Sequence, residues 1–498
     1  MGSHTLPAAP ENKDFNELRL LYPEFIYKGY TIVKEEFQLE VSYQFSIPGL
    51  CDFNPTLSFP RNTDDPTLEL DEHAERIVFN IGMIELISYW KTTCSPRVRI
   101  LDLALSAEQI DFWTKLYYGG LGEFFYRNEI ETTFDSFMTI EAEGLDKSVS
   151  AAEVPLKESK RAKKPGDKPE RILVPVGGGK DSVVSLCRLA GLKDELYGFA
   201  INPIRAAIDT METAGIRTEN RLFVQRTLDK NMLELNRLGY WNGHTPFSAV
   251  VAFVSLYVAY CFDLDYIVLS NEASANEATV SGTDVNHQFS KSTAFEEAFQ
   301  SYVEQWIGLP IYYFSLMRPF SELAIAREFA RHSQYFPIFR SCNVGSKQNR
   351  WCGACAKCLF VATVLRPFLS EETVTNIIGK NLFDSLDLLD DFAGLCGRLE
   401  LKPWECVGTV SEVNTAVTMT ICQYLDQGVQ RSELPILYQR YMLWVSAGEV
   451  SGVFLTGSGR PITVVDEAAG PLQRFNTDHR VPALFLPYIE TMLGESAR

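Results

Sequence analysis

Between Tyr30 and Ser46 apolar and polar residues alternate, the period of strands with one solvated face, and an antiparallel pair accounts for it. Around His73 to Trp90 and Glu108 to Tyr118 the apolar residues change to helical spacing, so residues 1–150 read as an α+β N-terminal domain with no nameable chemistry. The pattern shifts further on. Ile172 to Val176, Leu196 to Ile201, Leu222 to Gln225, Tyr266 to Ser270 and Ile311 to Phe314 are short apolar runs with helical patterns between them. Strands this apolar predict a parallel sheet covered on both faces. Ser159 to Arg171 is basic and bears Pro and Gly, so 151–171 is read as a solvated linker, 172–379 as an α/β domain and 380–498 as a mainly helical C-terminal domain. Thr245 to Phe262 is the longest apolar run. Asp263 and Asp265 follow it directly and Tyr266 to Leu269 is strand-like, which predicts a buried helix feeding a buried strand and not a membrane span.

Composition narrows the function. The chain has 498 residues, a formal charge of −18 and 46% hydrophobic residues, enough to bury real cores in roughly three domains. So acidic a chain has no excess positive charge to displace counterions from a phosphate backbone, and no nucleic-acid partner is expected. A small anionic ligand held by backbone amides remains compatible. Thr5 to Glu17 is polar and lacks the apolar segment of a secretion signal, and the eleven cysteines are an odd number. A cytoplasmic protein without membrane attachment is expected, in which clustering of cysteines matters more than their count.

The strongest local signal is Ile172 to Val176 running into Gly177, Gly178, Gly179, Lys180, Asp181 and Ser182 and then a helical pattern. Three glycines let the backbone turn sharply and present its amides to a ligand, and the helix N-terminus that follows favours phosphate. Lys180 supplies a charge and Ser182 a hydroxyl; Asp181 is placed to cap the helix or to help hold Mg2+. The spacing differs from that of the kinase and GTPase P-loop. Ligands of open α/β sheets lie beyond the carboxyl ends of the strands, so Asn202, Asn271, Glu272, Asn276 and Glu277 are placed to line the same crevice. A second signal is Cys342, Cys352, Cys355 and Cys358, spaced C-x9-C-x2-C-x2-C. Four thiolates at this spacing suit tetrahedral Zn2+ with no open position, hence a structural role, with an iron–sulfur cluster as the alternative.

The glycine loop resembles the Ser-Gly-Gly-x-Asp-Ser loop of the PP-loop ATP pyrophosphatases, with Gly177 in place of the first serine. The segment Pro319 to Ala330 followed by the cysteine cluster is similar to the carboxyl end of the PP-loop enzymes that make 7-cyano-7-deazaguanine. Together with Ser270 to Glu277 and Lys402 to Thr409, these stretches resemble the family of ATP-dependent UDP-N-acetylmuramoyl-L-alanyl-L-glutamate epimerases of bacterial cell-wall synthesis. That resemblance implies a PP-loop core at 172–379. It also implies inversion of the terminal L-glutamate of the nucleotide-sugar dipeptide through an acyl adenylate, with ATP converted to AMP and diphosphate. For the acid and base that move the Cα proton, His244, His287 and Lys291 are the candidates, with Cys187 and Cys406 as thiol alternatives. Rival readings are another PP-loop enzyme, such as a tRNA thiolase, and a non-catalytic zinc module that senses ATP.

Overall fold

The structure, a computed structural model, describes residues 6–10, 14–62, 68–101, 103–142, 169–277, 286, 288–399, 401–463 and 470–493. Most of the expected linker and His287 lie outside the described residues. Eleven of the described strands form one sheet: β1 (Glu24–Lys34), β2 (Gln38–Ile47), β3 (Cys51–Phe53), β4 (Thr56–Pro60), β5 (Arg97–Ile100), β6 (Thr139–Ala142), β7 (Ile172–Pro175), β8 (Leu196–Ile201), β9 (Arg221–Thr227), β10 (Tyr266–Leu269) and β11 (Tyr312–Ser315). The order is β11-β10-β7-β8-β9-β4-β2-β1-β5-β6, with β3 on β2.

The alternation read at Tyr30 to Ser46 becomes the antiparallel pair β1 and β2, in which Leu39, Val41, Tyr43 and Phe45 are buried. The helix Glu72–Trp90, capped by Asp71 on the Ala74 amide, packs between these strands and the helix Phe247–Cys261. Gly82 is the point of closest approach, where a Cβ would collide with the rings of Tyr27 and Tyr43. Phe247–Cys261 is the expected buried helix: its 15 residues span about 22 Å, short of the ~30 Å of a hydrocarbon core. No described helix is long and apolar enough to cross a membrane.

The five apolar runs from Ile172 onward form β7 to β11, all parallel. The chain starts at β7, moves outward through β8 and β9, then returns to β10 and β11 on the other side. β7 and β10 therefore flank the point where the strand order reverses, the place where α/β sheets bind ligands. β9 is also the seam to the N-terminal strands, pairing antiparallel with β4 through Thr56 and Thr227, whose hydroxyls lie 2.7 Å apart. Beside the seam Arg226 Nη2 donates to the buried carboxylate of Glu85 at 2.8 Å. One mixed α/β sheet thus runs through regions that local pattern separates.

Two cores cover the sheet. One includes Val41, Trp90, Phe253 and Tyr313; the other includes Val174, Phe314, Leu359, Phe392 and Tyr441, and so joins the parallel strands to the C-terminal helices. Those helices include Ala356–Leu365, Val410–Asp426 and Ile436–Ser446, and a small hairpin, Val453–Leu455 with Pro461–Thr463, interrupts the helical pattern.

Candidate active site

Beyond β7 the chain turns through Gly177 to Gly179 into the helix Lys180–Arg188. Gly178 has φ +81°, and a Cβ there would lie 2.8 Å from the Ala207 amide nitrogen, so only glycine lets the loop press against the neighbouring helix. The Gly178 carbonyl accepts from the Arg340 amide at 2.8 Å. At Gly177, by contrast, a Cβ would meet nothing within 4 Å. The helix N-terminus has no side-chain cap, which leaves its first amides for a ligand. The Ser182 hydroxyl donates to the Gly179 carbonyl at 3.0 Å.

A cavity of about 510 Å3 opens from this turn. Gly177, Gly179, Asp181, Ser182, Asn202, Asn271, Glu272 and Lys291 all line it, as does Cys406; Gly178 and Lys180 support the loop from behind. Asn202 adopts φ +47° at the end of β8 and spends its amide on β9, donating to and accepting from the Arg226 backbone at 2.8 Å each. Asn271 differs. Its Nδ2 is buried without a hydrogen-bond partner, and an unsatisfied buried donor on a cavity wall is suited to a polar ligand. Asn276 and Glu277 line an adjoining cavity of about 860 Å3 instead, together with Ser411, Arg474 and Asn476.

Charges are concentrated at the base of the cavity. The Lys180 ammonium, buried, is held by Asp181 and by Glu322 from the helix Glu322–Phe329. Burial opposes that charge, yet the two carboxylates outweigh it and raise the Lys180 pKa. Lys180 thus organises carboxylates in this structure. Lys291 likewise stays protonated: burial disfavours its charge, and Cys406, Glu272 and Asp181 more than compensate. Its Nζ lies 3.0 Å from Cys406 Sγ and 3.3 Å from Gln288 Oε1. Behind them Arg318, fully buried, pairs with Glu296 at 2.6 Å and donates to the backbone carbonyls of Glu272 and Lys291, tying both segments to the turn after β11.

Cys342, Cys352, Cys355 and Cys358 converge as expected, with all four sulfurs within 4.8 Å of one another. The separations of 3.5, 3.7 and 4.0 Å between sulfur pairs are close to the edge of about 3.8 Å that 2.3 Å bonds to a tetrahedral zinc demand. Burial would raise the Cys342 thiol, but the amides of Cys352 and Gly345 hold it below its ordinary value. The group can hold a metal such as zinc. It also builds the cavity wall, because Arg340, Ser341, Cys342, Asn343 and Lys357 are lining residues.

His244 lies elsewhere, its Nδ1 3.3 Å from Glu123 Oε2, and it is not among the lining residues. Glu322, Arg340 and Lys357 were missed by the sequence reading. The signal for Arg340 and Lys357 was their position within the cysteine segment; nothing local marked Glu322, which meets Lys180 across 142 residues.

A family model described as the MurL N-terminal domain matches residues 17–316, and one described as the MurL C-terminal domain matches residues 338–437. The chain belongs to the MurL family. A protein of Xanthomonas oryzae pv. oryzae named UDP-N-acetyl-alpha-D-muramoyl-L-alanyl-L-glutamate epimerase is 35% identical over 349 residues, 68% of this chain and 73% of its own. Proteins of the same name from Micromonospora sp. and Salinispora tropica are 31% and 32% identical, covering 81% and 74% of this chain and 88% and 78% of theirs. No solved structure matches. The MurL N-terminal match contains the glycine loop and Lys291, and the MurL C-terminal match contains the four cysteines and Cys406, so both parts of the family's architecture supply the cavity.

Proposed function

We propose that this chain epimerises the terminal L-glutamate of UDP-N-acetylmuramoyl-L-alanyl-L-glutamate to D-glutamate, with ATP converted to AMP and diphosphate, in the supply of peptidoglycan precursors. Likeness to relatives bearing that epimerase name, over most of both chains, carries the reading. The cavity supports its ATP half. Free amides at the turn after β7, open space at Gly177 and the unsatisfied Asn271 amide fit a nucleotide with its polyphosphate on a loop of the PP-loop kind. Asp181, on the first turn of the loop helix, is the carboxylate placed to share the Mg2+ that accompanies the nucleotide. The adjoining cavity takes the bulky sugar nucleotide.

The chemistry requires this order. A proton on carbon beside a carboxylate is barely acidic, because its removal adds negative charge to an anion. Attack of the glutamate α-carboxylate on the α-phosphate expels diphosphate and leaves a neutral, ester-like carbonyl. Deprotonation at Cα then becomes feasible, reprotonation on the other face inverts the centre, and hydrolysis of the acyl adenylate frees the product. The four-cysteine group holds a structural zinc that shapes one wall. Because both substrates are nucleotide-linked, we place the reaction in the cytoplasm.

The test is incubation with Mg-ATP and UDP-N-acetylmuramoyl-L-alanyl-L-glutamate in D2O. Diphosphate release together with deuterium at the glutamate Cα is expected. Diphosphate without deuterium would redirect the reading to ligation or modification chemistry, and neither would leave only a binding module.

A further inference from the structure

We propose that the Cys406 thiolate, held against the Lys291 ammonium on the cavity wall, is the group that removes the substrate Cα proton. The inference rests on the epimerase reading above and adds the residue that reading leaves unassigned.

Placement comes first. Cys406 belongs to the stretch Lys402 to Thr409, which is pinned on several sides. Lys402 pairs with Glu277, the Trp404 ring lies 5.2 Å from that of Tyr126, Asn343 donates to Glu405, and Lys357 donates to the Cys406 carbonyl. Contacts with three separate parts of the chain therefore hold this C-terminal loop over a cavity whose floor is the glycine loop. Its partner is equally restrained. Arg318 holds the Lys291 carbonyl, and Ser292, the next residue, caps the helix Thr293–Tyr302. Two groups fixed from opposite sides meet at 3.0 Å, and both face the cavity.

Chemistry singles out this thiol from the other cysteines. Cys94, Cys261 and Cys396 are buried, and burial pushes each thiol far up. Cys51 is pushed up to about 12 by burial, with Asp229 and Asp52 adding to it. Four more form the metal group, and Cys187 and Cys422 are not among the residues lining the cavity. Cys406 alone joins an adjacent ammonium to a wall of the substrate cavity, the combination that keeps a thiol ionised and able to act as a base. Of the rival bases, Asp181 and Glu322 bind Lys180, Glu272 is buried and accepts from the Ser274 hydroxyl at 3.5 Å, and no described histidine lines the cavity. The charged groups around the pair are Lys357, Glu272, Asp181 and Glu322.

The step balances as follows. The thiolate takes the proton from Cα and becomes a thiol, the C–H electron pair moves into the activated carbonyl as an enolate, and Lys291 stays protonated. Water delivers a proton to the opposite face of Cα, and the thiol returns its own proton to water. One solvent proton enters for each that leaves.

The D2O assay on Cys406→Ala and Lys291→Gln separates the roles. A general base contributes about 100-fold or more. In Cys406→Ala, deuterium incorporation should fall at least ~100-fold while diphosphate release falls less than ~10-fold. Undiminished exchange, or equal loss of both signals, would overturn the proposal. A substrate-free measurement guards against a misfolded variant. Iodoacetamide alkylation of Cys406, followed by mass spectrometry against pH, should move its midpoint up by at least about one pH unit in Lys291→Gln. An unmoved midpoint would also overturn the proposal. If the wild type released no diphosphate, the epimerase reading itself would fail; release with exchange unaffected by Cys406→Ala would sink this assignment alone.

Discussion

The parallel and mixed halves of the sheet bury similar side chains but contribute differently to the cavity. In β7 to β11 every strand points the same way, so the turns after β7, β8 and β10 gather at one edge and supply Gly177, Asn202, Asn271 and Glu272. In the N-terminal strands β2 runs antiparallel to β1, β3 and β4, so the turns before and after β2 fall at opposite ends; none of the lining residues comes from residues 24–142. Each region is braced by an ion pair with a buried carboxylate, Arg318 with Glu296 behind the cavity and Arg226 with Glu85 at the seam to the N-terminal strands. Strand direction decides where chemistry collects, and identical interactions acquire different functional weight from where they stand.

The largest effect expected is at the turn itself. Gly178→Ala forces a side chain into the backbone of Ala207 at positive φ, and substrate-dependent diphosphate release should fall at least ~100-fold, measured by a coupled assay. The two ion pairs offer a direct comparison. Glu296→Gln leaves the fully buried Arg318 guanidinium uncompensated and should cost about 3–5 kcal/mol in denaturant unfolding, and Glu85→Gln, whose partner Arg226 keeps 12% exposure, should cost less. Their kinetics should differ: the folded fraction of Glu85→Gln keeps its turnover, whereas Glu296→Gln loses it, because Arg318 no longer holds Lys291 and Glu272. Equal turnover losses would erase the distinction between the halves. A smaller effect is expected at the metal group, where Cys355→Ser should drop bound zinc from about one equivalent to below half by elemental analysis and raise KM for ATP roughly tenfold through the displaced wall. The smallest concerns His332, outside the cavity, where the neighbouring Cys187 and the Glu328 carboxylate, 3.5 Å from its Nε2, outweigh burial and push it up to about 9. A raised imidazole stabilises the fold fully below 6.5 and loses that contribution as pH rises through about 9, so the melting temperature should decline across this window and do so less in His332→Gln.

Legibility in the sequence followed the range of the cause. The five apolar runs from Ile172 to Phe314 were visible because a strand buried on both faces needs consecutive apolar residues, and each appears within two residues of its expected place. The cysteine group was visible because its ligands lie close in sequence. The strands β3 to β6 were not: three to five residues long, they carry too few positions for a period to register. His244 looked suitable because it is polar and near the apolar helix, yet packing gives it to Glu123. Lys180 looked like a phosphate ligand from its neighbours, while its ammonium is held by a carboxylate contributed 142 residues away.

By itself the sequence determined the turn after β7, the four thiols and the alternation of strand and helix, since each depends on steric and hydrophobic preferences acting over a few residues. Only the tertiary structure decided that β9 would join β4, that Glu322 would take Lys180, and that Lys291 and Cys406, 115 residues apart, would meet in one cavity. Those pairings come from fitting whole layers against one another, a condition on the folded chain that no short window of residues contains.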